Sequence, residues 1–150
     1  LSIVEGAATA LSAPQIEAAD IARAREVNAL MIDCLEHFDP HRFTELNLEF
    51  HSILYENCPN PHILDLVHRG WNRLNTLRDS TFSFVPGRAK ESVHEHEDLL
   101  RRIESDADPL DIELAARAHR SRTLNAFLAY QAQQHTPTTI EAPVSSRENA

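Results

Sequence analysis

Three Asx–Pro pairs, Asp39-Pro40, Asn60-Pro61 and Asp108-Pro109, punctuate the chain so legibly that little besides a series of helices fits between them. In each pair the Asp or Asn can accept hydrogen bonds from the first free N–H groups of a helix. The proline then occupies the first helical position, where a missing N–H is harmless. Ser12-Ala13-Pro14-Gln15 reads as a further start signal, a capping box with Ser12 as N-cap and Gln15 reaching back to it. Three glycines in 150 residues, against abundant alanine and leucine, weigh against sheet. The expected fold is all-α, an antiparallel bundle of about six helices over roughly 1–11, 14–38, 40–57, 61–82, 87–105 and 109–133. Residues 1–135 make one domain in this reading, and the polar, aperiodic segment 136–150 a flexible tail. Leu1-Ser2-Ile3-Val4-Glu5 is already patterned as helix and has no cap, which predicts a further segment upstream.

Charge narrows the partners. The formal net charge is −9 and Lys90 is the sole lysine, so no basic face is available to displace counterions from DNA. DNA contact is therefore expected only through another segment. No apolar run approaches the roughly 18 residues of a membrane span, and no basic-then-apolar leader opens the chain. Cys34 and Cys58 are too few for a disulfide framework, and neither sits in a C-x-x-C pair. A reducing, cytoplasmic setting is expected.

Helical phase picks out the buried faces. Phe43, Leu46, Phe50, Ile53 and Leu54 form one stripe, bordered by Asn47 and His51. Ile63, Leu64, Val67, Trp71, Leu74 and Leu77 form the next. Val93, His96, Leu99, Leu100 and Ile103 follow, with a histidine inside the stripe. In the last helix Ile112, Ala115, Ala116, Thr123, Ala126, Phe127 and Tyr130 share a face centred on His119.

The chain has nine histidines, and most must be incidental. His37 and His41 flank a turn, His62 and His68 lack ligand neighbours, and His135 opens the tail; surface roles are expected for all five. His94 and His96 point about 200° apart on a helix and cannot share an ion. His96 lies on the apolar side and His94 with Asp98 and Arg101 on the polar side. Asn47 and His51 stand one turn apart, a spacing that allows two side chains to chelate one cation. That pair is common by chance, and a backbone carbonyl can satisfy a lone core histidine. Three histidines converging on one core are a stronger signal, because burying a polar ring demands a partner. Neutral imidazoles from three helices suit zinc first, with nickel or manganese as other divalent choices.

The same residues carry a resemblance. Asn47-Leu-Glu-Phe-His51, followed by Leu54-Tyr-Glu-Asn-Cys-Pro-Asn60-Pro-His-Ile-Leu, resembles the "D/N-x-x-F-H … N-P-x-L" signature of the FadR C-terminal (FCD) domain. Glu95-His96-Glu-Asp-Leu-Leu100 resembles its "E-H-x-x-I-L" motif, Ala116-Arg-Ala-His119 its "A-x-x-x-H" motif, and Val4-Glu5-Gly-Ala-Ala its "L-E-x-x-A" opening. The motifs run in family order over roughly residues 3–130. FCD domains are the effector-binding, dimerising halves of GntR-type transcription regulators, usually preceded by a winged helix-turn-helix domain, which is not expected within these 150 residues. The resemblance implies a divalent metal on Asn47, His51, His96 and His119, a homodimer, and a small organic acid as effector. It also implies that operator DNA is bound only through the absent N-terminal domain. Asn47 stands where aspartate is frequent, which lowers the charge compensation of the ion. Leu1 stands about where many members place an arginine. Arg73 and Arg78 are the nearest matches to effector-facing arginines of the fourth helix, with plain surface roles as the alternative.

Three functions follow. The first is a sensor domain, in which a carboxylate beside the metal biases helix positions. The second is a metal-dependent hydrolase with Glu49, Glu95 or Glu97 as general base. Against it, Glu95 lies on a different side of its helix from His96, and no nucleophile motif is visible. The third is a structural dimerisation module whose histidines are incidental.

Overall fold

The computed structural model describes residues 1–81 and 85–134, less the side chains of 77–81, 86 and 134. Among these lie α1 (Ser2–Ser12), a 3-10 turn (Ala13–Gln15), α2 (Ala18–Glu36), α3 (Pro40–Tyr55), α4 (Pro61–Thr81), α5 (Pro86–Glu104) and α6 (Pro109–Gln134), with no strand. The described residues form an all-α bundle of six helices, as the punctuation of the chain implies. His135 and the segment 136–150 lie outside the described residues.

The Asx–Pro pairs cap as expected. Asp39 Oδ1 accepts from the Arg42 N–H at 3.1 Å, and Asp108 Oδ1 from the Leu110 N–H at 2.8 Å. Asn60 Oδ1 accepts from the N–H groups of His62 and Ile63 at 3.0 and 3.2 Å. The expected capping box at Ser12 and Gln15 does not form. Ser12 is the last residue of α1, fully buried, and makes no capping bond. Pro14 cannot continue an α-helix, so the chain tightens into the 3-10 turn and then extends at Ile16 (ψ 124°). The box that starts α2 is Glu17 with Asp20, whose carboxylate accepts from the Glu17 N–H at 2.9 Å. The helix begins at Ala18, four residues beyond the expected 14.

Packing does not follow chain order. α1 lies chiefly on α6, while α2 packs between α3 and α5. The larger apolar cluster is built mainly from α2, α3, α5 and α6, with Ala10 of α1, and encloses Met31, Phe50 and Leu100 fully. A smaller one gathers Ala8, Tyr55, Val67 and Trp71 from α1, α3 and α4 with Cys58 from the α3–α4 turn. Arg25 joins α2 to α5 by pairing with Glu97 (2.9 Å) and Glu104 (2.5 Å). Cys34 and Cys58 are buried free thiols. No helix among the described residues is long and apolar enough to cross a membrane.

The α1–α6 contact depends on Gly6. A Cβ built there would collide with Arg117 Cγ and lie 3.0 Å from the Glu113 carbonyl oxygen, which is backbone and cannot swing away. At Gly87, near the start of α5, an added Cβ meets nothing within 4 Å. Gly6→Ala is therefore expected to destabilise the fold by about 1–3 kcal/mol through overpacking. Gly87→Ala should be neutral or stabilising by up to about 1 kcal/mol, since alanine is the better helix former. Urea unfolding of the two variants beside the parent checks the contrast.

Candidate metal centre

Three helices deliver His51, His96 and His119 to one point. Each sits on the core stripe of its helix, and packing those stripes together leaves the rings 4%, 0% and 2% exposed. One nitrogen from each ring lies within 4.8 Å of the other two. The ring centroids of His51 are 5.1 Å from both His96 and His119, and those of His96 and His119 are 4.9 Å apart. Asn47, one turn before His51 on α3, is 7% exposed.

The protons on these rings follow from their neighbours. His51 Nδ1 lies 2.7 Å from Glu5 Oε1, and His119 Nδ1 lies 2.5 Å from Glu95 Oε2. Burial pushes the Glu5 carboxyl upward, but the Arg120 guanidinium and His51 outweigh it and hold it well below the usual range. Glu95 is likewise depressed, since His119, Arg88 and Arg122 outweigh its burial. Both are carboxylates and can only accept, so each Nδ1 carries the donated hydrogen. Arg88 Nη2 also approaches His119 Nδ1, at 3.2 Å, yet the nearer carboxylate sets the proton. For His96 the argument runs through Asn28, whose Nδ2 donates to the Val93 carbonyl at 2.9 Å. That leaves Asn28 Oδ1 to accept from His96 Nδ1 at 3.0 Å.

All three Nε2 atoms are then bare lone pairs. His51 Nε2 and His119 Nε2 face each other at 3.2 Å with no hydrogen between them. His96 Nε2 and Asn47 Oδ1 are both buried with no hydrogen-bond partner. Three inward imidazole lone pairs with no hydrogen among them form an unfavourable group on their own, and a cation would relieve them together; the partnerless Asn47 Oδ1 is a further buried acceptor one turn from His51. Carboxylate or amide acceptors behind each ring also match the way ligating histidines are commonly oriented. The donor set fits a borderline divalent ion.

Electrostatics keep the rings neutral and ready to ligate. Burial lowers the His51 imidazole to about 4, against the pull of Glu5. Burial lowers His96 well below its ordinary value, and His119 is lowered for the same reason despite Glu95.

A cavity of about 440 Å³ adjoins this cluster at an inner end marked by Asn47, Arg88 and Arg120, and the three histidines themselves do not line it. Arg120 Nε and Nη2 grip Glu5 at 3.2 and 2.9 Å, and its guanidinium lies 4.2 Å from the Trp71 ring centroid. Arg88 bonds Glu91 and Glu95, and its Nε donates to Thr123 Oγ1 at 3.2 Å. Arg73 is exposed on α4 and does not line the cavity, and the Arg78 side chain lies outside the described residues. His37, His41, His62, His68 and His94 are all exposed. Glu49 and Glu97 are held in ion pairs with Arg23 and Arg25. Glu95, set aside in the sequence because it points away from His96, reaches the cluster through His119 on the neighbouring helix.

Five residues of this centre escape a reading of histidine phase: Glu5, Asn28, Glu95, Arg88 and Arg120. A signal existed for two. Glu5 continues the stripe Ala8, Thr9 and Ser12 of α1, and Asn28 the stripe Ile21, Ala24 and Met31 of α2, so each was a polar residue at a core phase. Nothing local marks the arginines as buried, because their burial depends on how α5 and α6 meet.

Two consequences can be measured on the metal-free protein. Glu5→Ala strands the Arg120 charge in the interior and should cost about 3–5 kcal/mol in urea unfolding. The pH dependence has a definite sign. The unfolded chain takes up a proton at His51 below 6.5, whereas the native ring resists until about 4, so stability drains as pH falls through that window. From pH 7 to pH 5 the His51 contribution alone lowers stability by about 2 kcal/mol. A flat urea midpoint between those values would contradict neutral, buried imidazoles.

Comparison with curated proteins and with solved structures finds no match to this chain. Comparison with protein-family models does: the FCD domain matches residues 1–122, a span that holds α1 to α5, most of α6 and every residue of the cluster. The chain therefore belongs to the FCD family, the C-terminal domains of GntR/FadR-type transcription regulators.

Proposed function

We propose that this domain senses a small carboxylate metabolite beside a divalent metal, zinc in the first instance, held by Asn47, His51, His96 and His119. The observation that carries the reading is the meeting of three buried imidazole lone pairs with no hydrogen among them, together with the buried, partnerless amide oxygen of Asn47. When bound, the ion supplies Lewis acidity and positive charge at the inner end of the cavity. The chain's own groups do the rest. Glu5, Asn28 and Glu95 fix the tautomer and angle of each imidazole. Arg120 and Arg88 make that end of the cavity basic and favour a carboxylate, a role the resemblance had pointed to for Arg73 and Arg78.

The route outward starts at Arg120. Its fork on Glu5 ties α6 to α1, and Glu5 ties α1 to His51 on α3. A carboxylate drawing on the Arg120 guanidinium changes the balance on Glu5 and so the seat of α1. In a C-terminal regulator domain α1 is the helix nearest the upstream DNA-binding domain, here a winged helix working as a homodimer on operator DNA. Such coupling requires different effector affinities in the two seatings of α1. The acidic charge of this chain fits a domain that leaves DNA contact to its neighbour.

A hydrolase reading finds less support. Glu95 is the nearest candidate base, and its carboxylate is already bound by His119, Arg88 and Arg122 and held far below the range of a useful base.

The purified chain is expected to bind one zinc ion, read by competition with a chromophoric chelator. His96→Ala should abolish that binding, and Glu95→Gln should weaken it about 10–100-fold. Substoichiometric zinc that neither variant alters would leave only the structural dimerisation module. Zinc-dependent ester or phosphoester turnover lost in His96→Ala would return the hydrolase.

A further inference from the structure

The cavity's chemistry changes along α3 and α6, two of the helices that line it. Near the histidines it meets Asn47, Arg88 and Arg120. One turn or more away the same helices present Phe43 on α3 and Leu124, Phe127 and Leu128 on α6, while α1 and α4 add Leu1 and Leu74. The polar end carries two buried arginines that favour an anion, while the unsatisfied amide oxygen of Asn47 beside them is an acceptor suited to a cation. Hydroxyls line the cavity too, but those of Thr44 and Thr123 already donate to the Pro40 and His119 carbonyls at 3.0 and 3.2 Å, which leaves Ser2, Ser92 and Ser121 among a mostly hydrocarbon lining. Leu124 and Leu128 stand 53% and 52% exposed there, so water covers apolar surface that a ligand body could replace. Hydroxylated acids or short diacids would strand polar groups against this wall, at a cost set by their lost hydration.

We infer that the effector is a monocarboxylate with an apolar body, its carboxylate at the Asn47–Arg120 end and its hydrocarbon against Phe43, Leu74, Leu124, Phe127 and Leu128. This rests on the sensor reading above and narrows its ligand class. A cavity of about 440 Å³ falls in the range of small-molecule sites. Each methylene moved from water onto such a wall is worth about fourfold in affinity.

The test is a homologous series of acetate, butanoate, hexanoate and octanoate titrated calorimetrically into the zinc-loaded chain, with succinate and gluconate as polar comparators. Affinity should rise at least fivefold with each two-carbon step until the wall is covered, and hexanoate should exceed both comparators at least tenfold. Phe127→Asn, and separately the half-exposed Leu128→Asn, should each lower octanoate affinity at least fivefold while thermal unfolding confirms that the variant is folded. A flat series, comparators equal to hexanoate, or both variants binding octanoate as the parent does overturns the inference. Zinc bound at the histidines together with a flat series defeats this ligand class alone. A rising series on a chain that binds no zinc defeats the metal reading and keeps the ligand class.

Discussion

Glu5 is the charge on which the centre of this molecule rests. It is a carboxylate 3% exposed, bonded on one side to the Arg120 fork and on the other to the His51 ring. Removing an ion from water costs several kcal/mol, and only a close counter-ion with further hydrogen bonds offsets that. Arg120 and His51 supply both, and in doing so they fasten α1, α3 and α6 to one another. The same bond leaves His51 with its hydrogen on Nδ1 and its lone pair facing inward. One interaction therefore sets both the docking of the first helix and the readiness of the first imidazole.

The other two histidines repeat the device with different partners. His96 is set by a neutral amide, and His119 by a carboxylate shared with Arg88 and Arg122. Each donor of these rings is consumed by its outer partner, so the inner side is acceptor-only. Across α1, α5 and α6 the charges pair locally, buried Glu5 with buried Arg120 and part-buried Glu95 with buried Arg88. Asn47 contributes an uncharged oxygen where an aspartate would add a negative one, so a divalent ion at the histidines would keep more of its charge for an anion.

Much of this was legible in the chain before any coordinate. The Asx–Pro pairs placed three helix starts correctly because capping is local, a matter of one side chain and the next few N–H groups. Ser12 failed for an equally local reason that pattern alone hides. A serine before a proline caps a helix only if the preceding helix has stopped, and α1 had not. Phase sorted His96 from His94, since a helix turns them to opposite sides and only one side meets the core. It misjudged the reach of Glu95, which points away from its own neighbour but toward the next helix.

Helix number, helix starts, the apolar stripes and the membership of the three histidines in those stripes are local properties, written in residue type and a period of 3.6. Which stripes face each other is not local. α1 closing on α6 across more than a hundred residues decides that Glu5 meets Arg120, and the packing of the bundle decides that Arg88 and Arg120 rather than Arg73 stand at the cavity and that three imidazoles share one point. Those facts depend on the distance between side chains far apart in sequence, and only the assembled bundle sets that distance.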